Sequence, residues 1–442
     1  MPVSAIDSLL FRNLFGTAEI RALFSDKTYI QRCLDVEAAL ARSQSKLNII
    51  PPHAGEAITR ACANLDLDYD RLSDETEIVG YPILPLVRQL TTACGDGEAG
   101  KYVHWGATTQ DIQDTATVLQ MKAGLEVVEA KLRAIVATLG ELAKRYRDTP
   151  MAGRTHLQHA LPRHLERLGE LRPRALVVQF GGAAGTLASL GDGEDGLRVR
   201  RALAEELGLG DPVITWHTAR DGVAETVNFL ALVGGSLGKL AMDLMVMSSN
   251  ELGEVSEPFV PHRGASSTMP QKRNPISSEV ILAASKILRA NAGLCLDAMI
   301  TDFERASGPW HLEWVAVPES FVVAVGALSQ AGFVLSGLVV NTQQMERNLD
   351  SSRGLIVAEA VMMDLASHIG RQQAHDLIYD ACNKTIEAGE GTSLFDVLVR
   401  DERVTGAISK ENLAELCKPA NYLGAAGRMV DDVLACRAGS LS

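Results

Sequence analysis

Apolar residues recur in this chain at three- and four-residue spacing over long runs, as in Val118, Met121, Leu125, Val128 and Leu132, or Leu34, Ala38 and Ala41 with Ser45. That spacing marks one face of a 3.6-residue helix, whereas a half-buried strand needs strict alternation, which is nearly absent. The pattern returns late in the chain as Val357, Val361, Leu365 and Ile369, and again as Met429, Val433 and Cys436. An all-α fold is therefore expected, with at most a short hairpin.

A chain of 442 residues, 46% of them hydrophobic, is longer than one core usually supports. The helical stretches divide into an N-terminal helical domain over 1–110, a central long-helix bundle over 111–350 and a small helical domain over 351–442. Segments of low periodicity fall at 95–109, 150–162, 180–196, 209–221 and 256–276. In a helical bundle such segments lie at helix ends, where side chains from several helices converge.

The formal net charge is -13 and the basic residues are scattered, so a nucleic-acid backbone finds no basic stripe to bind. The seven cysteines are odd in number, widely spaced and without a C-x-x-C pair, as expected of reduced thiols in a cytoplasmic protein. No secretory signal is visible at the N-terminus. The most apolar stretch, from Phe229 to Met247, is interrupted by Lys239 and Asp243, which fits a buried core helix better than a membrane span.

The segment from Gly264 to Glu279 concentrates chemistry. It holds Ser266 and Ser267 after a glycine, the cations Lys272 and Arg273, the amide of Asn274, and Glu279 entering a helix. A cation beside an amide offers several donors to one carboxylate. Pro270 and Pro275 restrict the loop, and the following helix start at Ser277 and Ser278 would present free N–H groups and a positive dipole end. On these grounds alone the segment is either an anion-binding loop or a solvated connector.

Ser266-Ser267-Thr268-Met269-Pro270-Gln271-Lys272-Arg273-Asn274-Pro275, with Glu279 downstream, resembles the S-S-x-M-P-x-K-x-N signature of the fumarase/aspartase superfamily. The resemblance implies that Ser266 is a general base removing a proton beside a carboxylate, and that Ser267, Lys272 and Asn274 hold substrate carboxylate. A serine hydroxyl is too weak a base in water, so N–H groups, cations and exclusion of solvent must stabilise its alkoxide, with the glycine-containing loop closing over substrate.

Gly153-Arg154-Thr155-His156-Leu157-Gln158-His159 resembles the R-T-H-x-Q loop of the same superfamily. Alone, a histidine in a polar loop is more often a hydrogen-bonded surface residue. The resemblance implies substrate contacts from Thr155 and His156, a pairing of His156 with Glu279 that relays protons opposite Ser266, and a weaker claim for His159.

The run His104-Trp105-Gly106-Ala107-Thr108-Thr109-Gln110-Asp111 reads locally as a capped helix start, with Thr109 or Asp111 available as the cap. It also resembles the superfamily's first shared region, which implies that Thr108, Thr109 and Gln110 bind a substrate carboxylate.

The runs Trp216 to Asp221, Val177 to Gly185 and Arg305 to Trp314 resemble bacterial 3-carboxy-cis,cis-muconate cycloisomerases, with adenylosuccinate lyase more distant. Arg220, Arg305 and Ser307 become candidate substrate contacts, since an anionic substrate in a helix bundle needs cations; a structural ion pair is the lesser reading of either arginine. Trp310 and Trp314, at i and i+4, read as core packing on one helix face.

Two departures stand out. Several bacterial cycloisomerases carry tryptophan where this chain has His156, which admits an epimerase or C–N lyase acting on an N-substituted aspartate such as iminodisuccinate. After Pro162 the chain reads as shorter than its relatives by roughly 15 residues, about 22 Å of helix at 1.5 Å per residue, through either an omission of residues, the favoured reading, or a truncated helix that alters the site.

The resemblance thus implies an acid/base enzyme for a small di- or tricarboxylate, cycloisomerase-like or a related lyase. It implies no metal or organic cofactor, and a homotetramer whose central bundle carries active sites shared between subunits. Intact Ser266, His156, Lys272 and Glu279 speak against an inactive scaffold, which some superfamily members have become.

Overall fold

Ser25 accepts the N–H of Thr28 at 3.2 Å and so starts α1, Asp26–Lys46. Pro52, which has no N–H to lose, occupies the first turn of α2, Pro52–Asn64. The computed structural model describes residues 4–95, 97–154, 162–305 and 308–440, and 67% of it is helical. The all-α expectation holds.

Later helices include α3, Thr109–Arg145; α4, Pro162–Ala175; α5, Asp221–Met247; α6, Ile276–Asp297; and α7, Trp310–Ser336. Shorter helices toward the end of the chain include α8, Ala358–Ile369; α9, Arg371–Glu387; and α10, Ala426–Ser440. α4 has 14 residues and α3 has 37.

The chain forms two compact units. The first comprises Met1–Ala134, Ala160–Gly238 and Val280–Gly332. Its core includes Val118, Met121, Leu125, Val128 and Leu132, each 1% exposed or less, so the spacing read from the sequence is the buried face of α3. Burying each such side chain contributes roughly 1.5–3 kcal/mol relative to exposure, which fixes the rotation of the helix. α1 packs on α2, where Cys33, Leu34, Ile50, Ile58, Leu86 and Ile112 share one cluster.

The second unit comprises Ile135–His159, Lys239–Glu279 and Phe333–Ser442. Here α8 packs on α9, and Val361, Leu365, Leu377, Leu394, Leu398 and Val404 form the core. Its two-stranded ladder pairs β1, Val255–Ser256, antiparallel with β2, Val339–Val340. The strands lie far apart in sequence, so this is a long-range pairing and not a hairpin, the most strand that the sequence pattern admits.

A second difference concerns α10. Met429 and Val433 are 64% and 56% exposed, despite their core-like spacing. One contact of this helix is polar, a bidentate Arg147 to Asp431 pair at 2.8 and 2.7 Å. Two helices, α5 and α7, are long and apolar enough to cross a membrane by composition; 50% and 67% of their apolar windows are buried within the chain.

Candidate active site

Within the second unit the loop read as the signature is closed at its base. Asn274 donates its N–H to the carbonyl of Gly264 at 2.9 Å, Ala265 and Arg273 form an antiparallel bridge, and the Arg273 guanidinium lies 4.4 Å over the Phe259 ring. Gly264 has φ +67°, and a Cβ there would lie 2.3 Å from the Asn274 carbonyl oxygen. Glycine at this position lets the two backbone segments touch.

Inside this loop, Ser266 Oγ accepts the N–H of Met269 at 3.1 Å and that of Thr268 at 3.3 Å. Two amide dipoles thus aim at the oxygen that would carry negative charge as an alkoxide. Ser266 and Asn274 are half-buried, while Ser267 and Lys272 are exposed. A cavity of about 640 Å³ is bordered by Glu257, Arg263, Gln271, Lys272, Arg273 and Asn274.

The start of α6 is not free to bind an outside anion. Glu257 accepts the N–H of Ser278 at 2.8 Å, its hydroxyl at 2.8 Å, and the N–H of Ser277 at 3.3 Å. The helix-end donors read from the sequence are taken by a side chain of the same unit. Glu279, one residue on, is exposed.

Thr155, His156, His159 and Ser307 lie outside the described residues. Arg154, directly before Thr155, makes a bidentate pair with the fully buried Glu254 at 2.9 and 2.8 Å, and Asn348 donates to the same carboxylate at 2.8 Å. Burial alone would raise the Glu254 carboxyl, but these donors overcome it and hold it below the usual range.

The first unit brings Gln110, Arg220 and Arg305 into one buried polar network. Arg220 donates to both oxygens of Asp114 at 2.7 and 2.9 Å and to Glu313 at 2.9 Å, with a further short contact to Glu313. Its side chain is 1% exposed. Two carboxylates thus receive four of the five N–H bonds of this guanidinium, the arrangement of a buried ion pair. Burial pulls the Glu313 carboxyl above its ordinary range against the opposing pull of Arg220.

Asp111 is the second hub. It accepts the N–H groups of Gly181 and Gly182, each at 2.9 Å, that of Thr108 at 3.0 Å, and meets His217 Nε2 at 2.7 Å. The bond to Thr108 is the reach-back half of a capping box, with Thr108 at the N-cap position and Asp111 as the third helical residue, so Thr109 is not the cap. It also pins the Gly181-Gly182 turn. Thr108 and Thr109 sit half-buried at this helix start.

Gln110, only 1% exposed, donates to Asp114 at 3.1 Å and to the His217 carbonyl at 2.9 Å, and receives Arg305 at 3.4 Å. Trp310, 4% exposed, donates its indole N–H to Asp114 at 3.1 Å. Its expected core partner Trp314 meets it edge-on at 5.2 Å between centroids but is 38% exposed, so that helix face is only half core.

Asp114, His217, Glu313, Glu254 and Glu257 had not been singled out as functional. One signal was present: Gln110, Asp111, Asp114 and Thr115 place polar groups at helical spacing on the buried side of an otherwise apolar helix. Among the described residues no group of three or more His, Cys, Asp or Glu converges as a metal site.

Residues 16–288 match the family described as Lyase, and residues 354–433 match Adenylosuccinate lyase C-terminus. A 3-carboxy-cis,cis-muconate cycloisomerase of Pseudomonas aeruginosa is 44% identical, over 96% of this chain and 96% of that protein. Trans-aconitate decarboxylase 1 of Mycosarcoma maydis is also 44% identical, over 96% of this chain and 88% of that protein. A solved fumarate lyase from Mesorhizobium sp. BNC1 is 54% identical with a TM-score of 0.88, covering 95% of this chain and 98% of its own.

Proposed function

The chain belongs to the lyase family of the fumarase/aspartase superfamily, and we propose that Ser266 is the general base that removes a proton beside a carboxylate of a small di- or tricarboxylate. The observation that carries this is the pair of N–H groups, from Met269 and Thr268, directed at Ser266 Oγ. They lower the cost of the alkoxide that the reaction needs.

In the elimination direction the Cα–H bond breaks, its proton passes to Ser266 Oγ and its electron pair enters the adjacent carboxylate. The pair then returns to form a carbon–carbon double bond as the leaving group departs with a proton. Cycloisomerisation of a carboxymuconate uses the same steps with a carboxylate oxygen as the departing or entering group. Lys272, Asn274 and Ser267 hold the doubly charged carboxylate, and His156 with Glu279 supplies the opposing proton.

The relative named as a trans-aconitate decarboxylase supports one widening of this reading. Loss of carbon dioxide from an unsaturated tricarboxylate also leaves negative charge stabilised by a neighbouring carboxylate. No comparable observation favours an epimerase of iminodisuccinate.

The oligomer is a homotetramer with sites shared between subunits, working in the cytoplasm. The test is a panel of 3-carboxymuconate, trans-aconitate, iminodisuccinate, argininosuccinate, adenylosuccinate and fumarate with ammonia, in deuterated water. Ser266→Ala lowers turnover of the accepted substrate by about a hundredfold or more with the oligomer unchanged. Full activity in that variant removes Ser266 as the base.

A further inference from the structure

We infer that Gln110 is a positioning residue that holds the Arg305 guanidinium as the carboxylate clamp of the first unit, and is not itself a substrate ligand. The inference rests on the reading above, that the substrate is a small polycarboxylate, and deepens it by assigning which group meets the anion.

The orientation of the Gln110 amide follows from its neighbours alone. On one side stand two acceptors, Asp114 Oδ2 at 3.1 Å and the His217 carbonyl oxygen at 2.9 Å, so both N–H bonds of the amide are consumed there. On the other stands Arg305, which has donors only, with Nη1 at 3.4 Å from Gln110 Oε1. A reversed amide would set oxygen against two acceptors and N–H against N–H. With nitrogen inward and oxygen outward, Gln110 has no donor left for a carboxylate.

The inward side cannot drift, because Asp114 is fixed by Arg220 at 2.7 and 2.9 Å and by Trp310 at 3.1 Å. His217, whose carbonyl forms the other anchor, is fixed by Asp111 at 2.7 Å. Arg305 is the half-buried end of this network. Besides Gln110 it donates to the carbonyls of Gly182 and Ala183, on the turn that Asp111 also pins. Its partners among the described residues are three neutral oxygens, which pre-aim the cation without cancelling its charge.

The test is a double-mutant cycle on binding of tricarballylate, a saturated tricarboxylate that needs no turnover, measured calorimetrically on the intact enzyme. Arg305→Met weakens binding at least tenfold, since a charged hydrogen-bonded pair is lost. Gln110→Met weakens it about five- to tenfold alone and adds nothing in the Arg305→Met background. Gln110→Asn, shorter by one carbon, serves in the same cycle if the methionine variant does not fold. Losses that multiply in the double variant overturn the positioning role, since Gln110 would then touch the ligand independently. Failure of the unaltered enzyme to bind tricarballylate or turn over any polycarboxylate overturns the reading of the substrate as well.

Discussion

The carboxylate of Glu257 accepts both the N–H and the hydroxyl of Ser278 at 2.8 Å, and so fills the N-terminus of α6 from within. An anion at a helix start stabilises by its charge and by satisfying donors that would otherwise be orphaned. Glu257→Ala should lower the unfolding free energy by about 1–2 kcal/mol, with Glu257→Gln about half as costly because its amide oxygen still accepts. Urea titration decides this, and unchanged midpoints in both variants would mean that water replaces the carboxylate without loss.

Gly264 makes a second, sharper prediction. Its φ of +67° and the 2.3 Å approach to the Asn274 carbonyl oxygen leave no room for a methyl group. Gly264→Ala must open the base of the loop that holds Ser266. Activity should fall at least tenfold, while global stability drops by only about 1–2 kcal/mol, the usual cost of one strained residue. Wild-type kcat/KM in this variant would show that the closed base is dispensable.

His164 in α4 carries a pH dependence of stability. Its ring is buried against Ser236 at 2.8 Å, and burial, aided by Arg167, depresses its pKa to about 4. The folded chain then binds fewer protons than the unfolded one between that value and the ordinary histidine value of about 6.5. Stability is therefore full above that window and falls as the pH drops through it, by about 2 kcal/mol once solvent screening is allowed for. His164→Gln should flatten this limb of the stability–pH curve, and an unchanged limb would assign the acid sensitivity elsewhere.

What could be read in advance follows from how local the information is. The buried face of α3, from Val118 to Leu132, repeats within single helical turns, and the loop around Ser266 is contiguous, so both were legible. Asp111 with His217, and Arg220 with Asp114 and Glu313, join segments about a hundred residues apart. No local period encodes such pairings, and Arg220 therefore reads in sequence as a cation free to take substrate. Met429 and Val433 fail in the opposite sense, since spacing marks a face as apolar without saying what covers it.

Arg220 tests whether the buried network is a folding element or a part of binding. Arg220→Met leaves Asp114 and Glu313 as two unpaired carboxylates, 2% and 4% exposed, and should cost about 3–5 kcal/mol. Neutralising them as well, in the triple variant with Asp114→Asn and Glu313→Gln, should recover most of that loss, because the penalty belongs to the uncompensated charges. Arg220→Lys keeps a charge but loses the fork that reaches both partners, and should fall between. If the network also sets Gln110, the triple variant regains stability without regaining polycarboxylate affinity, since the neutral side chain left by Asp114→Asn no longer fixes the amide that aims Arg305. Recovery of both together would confine Arg220 to stability, and a loss below about 1 kcal/mol in Arg220→Met would mean that water already reaches this site.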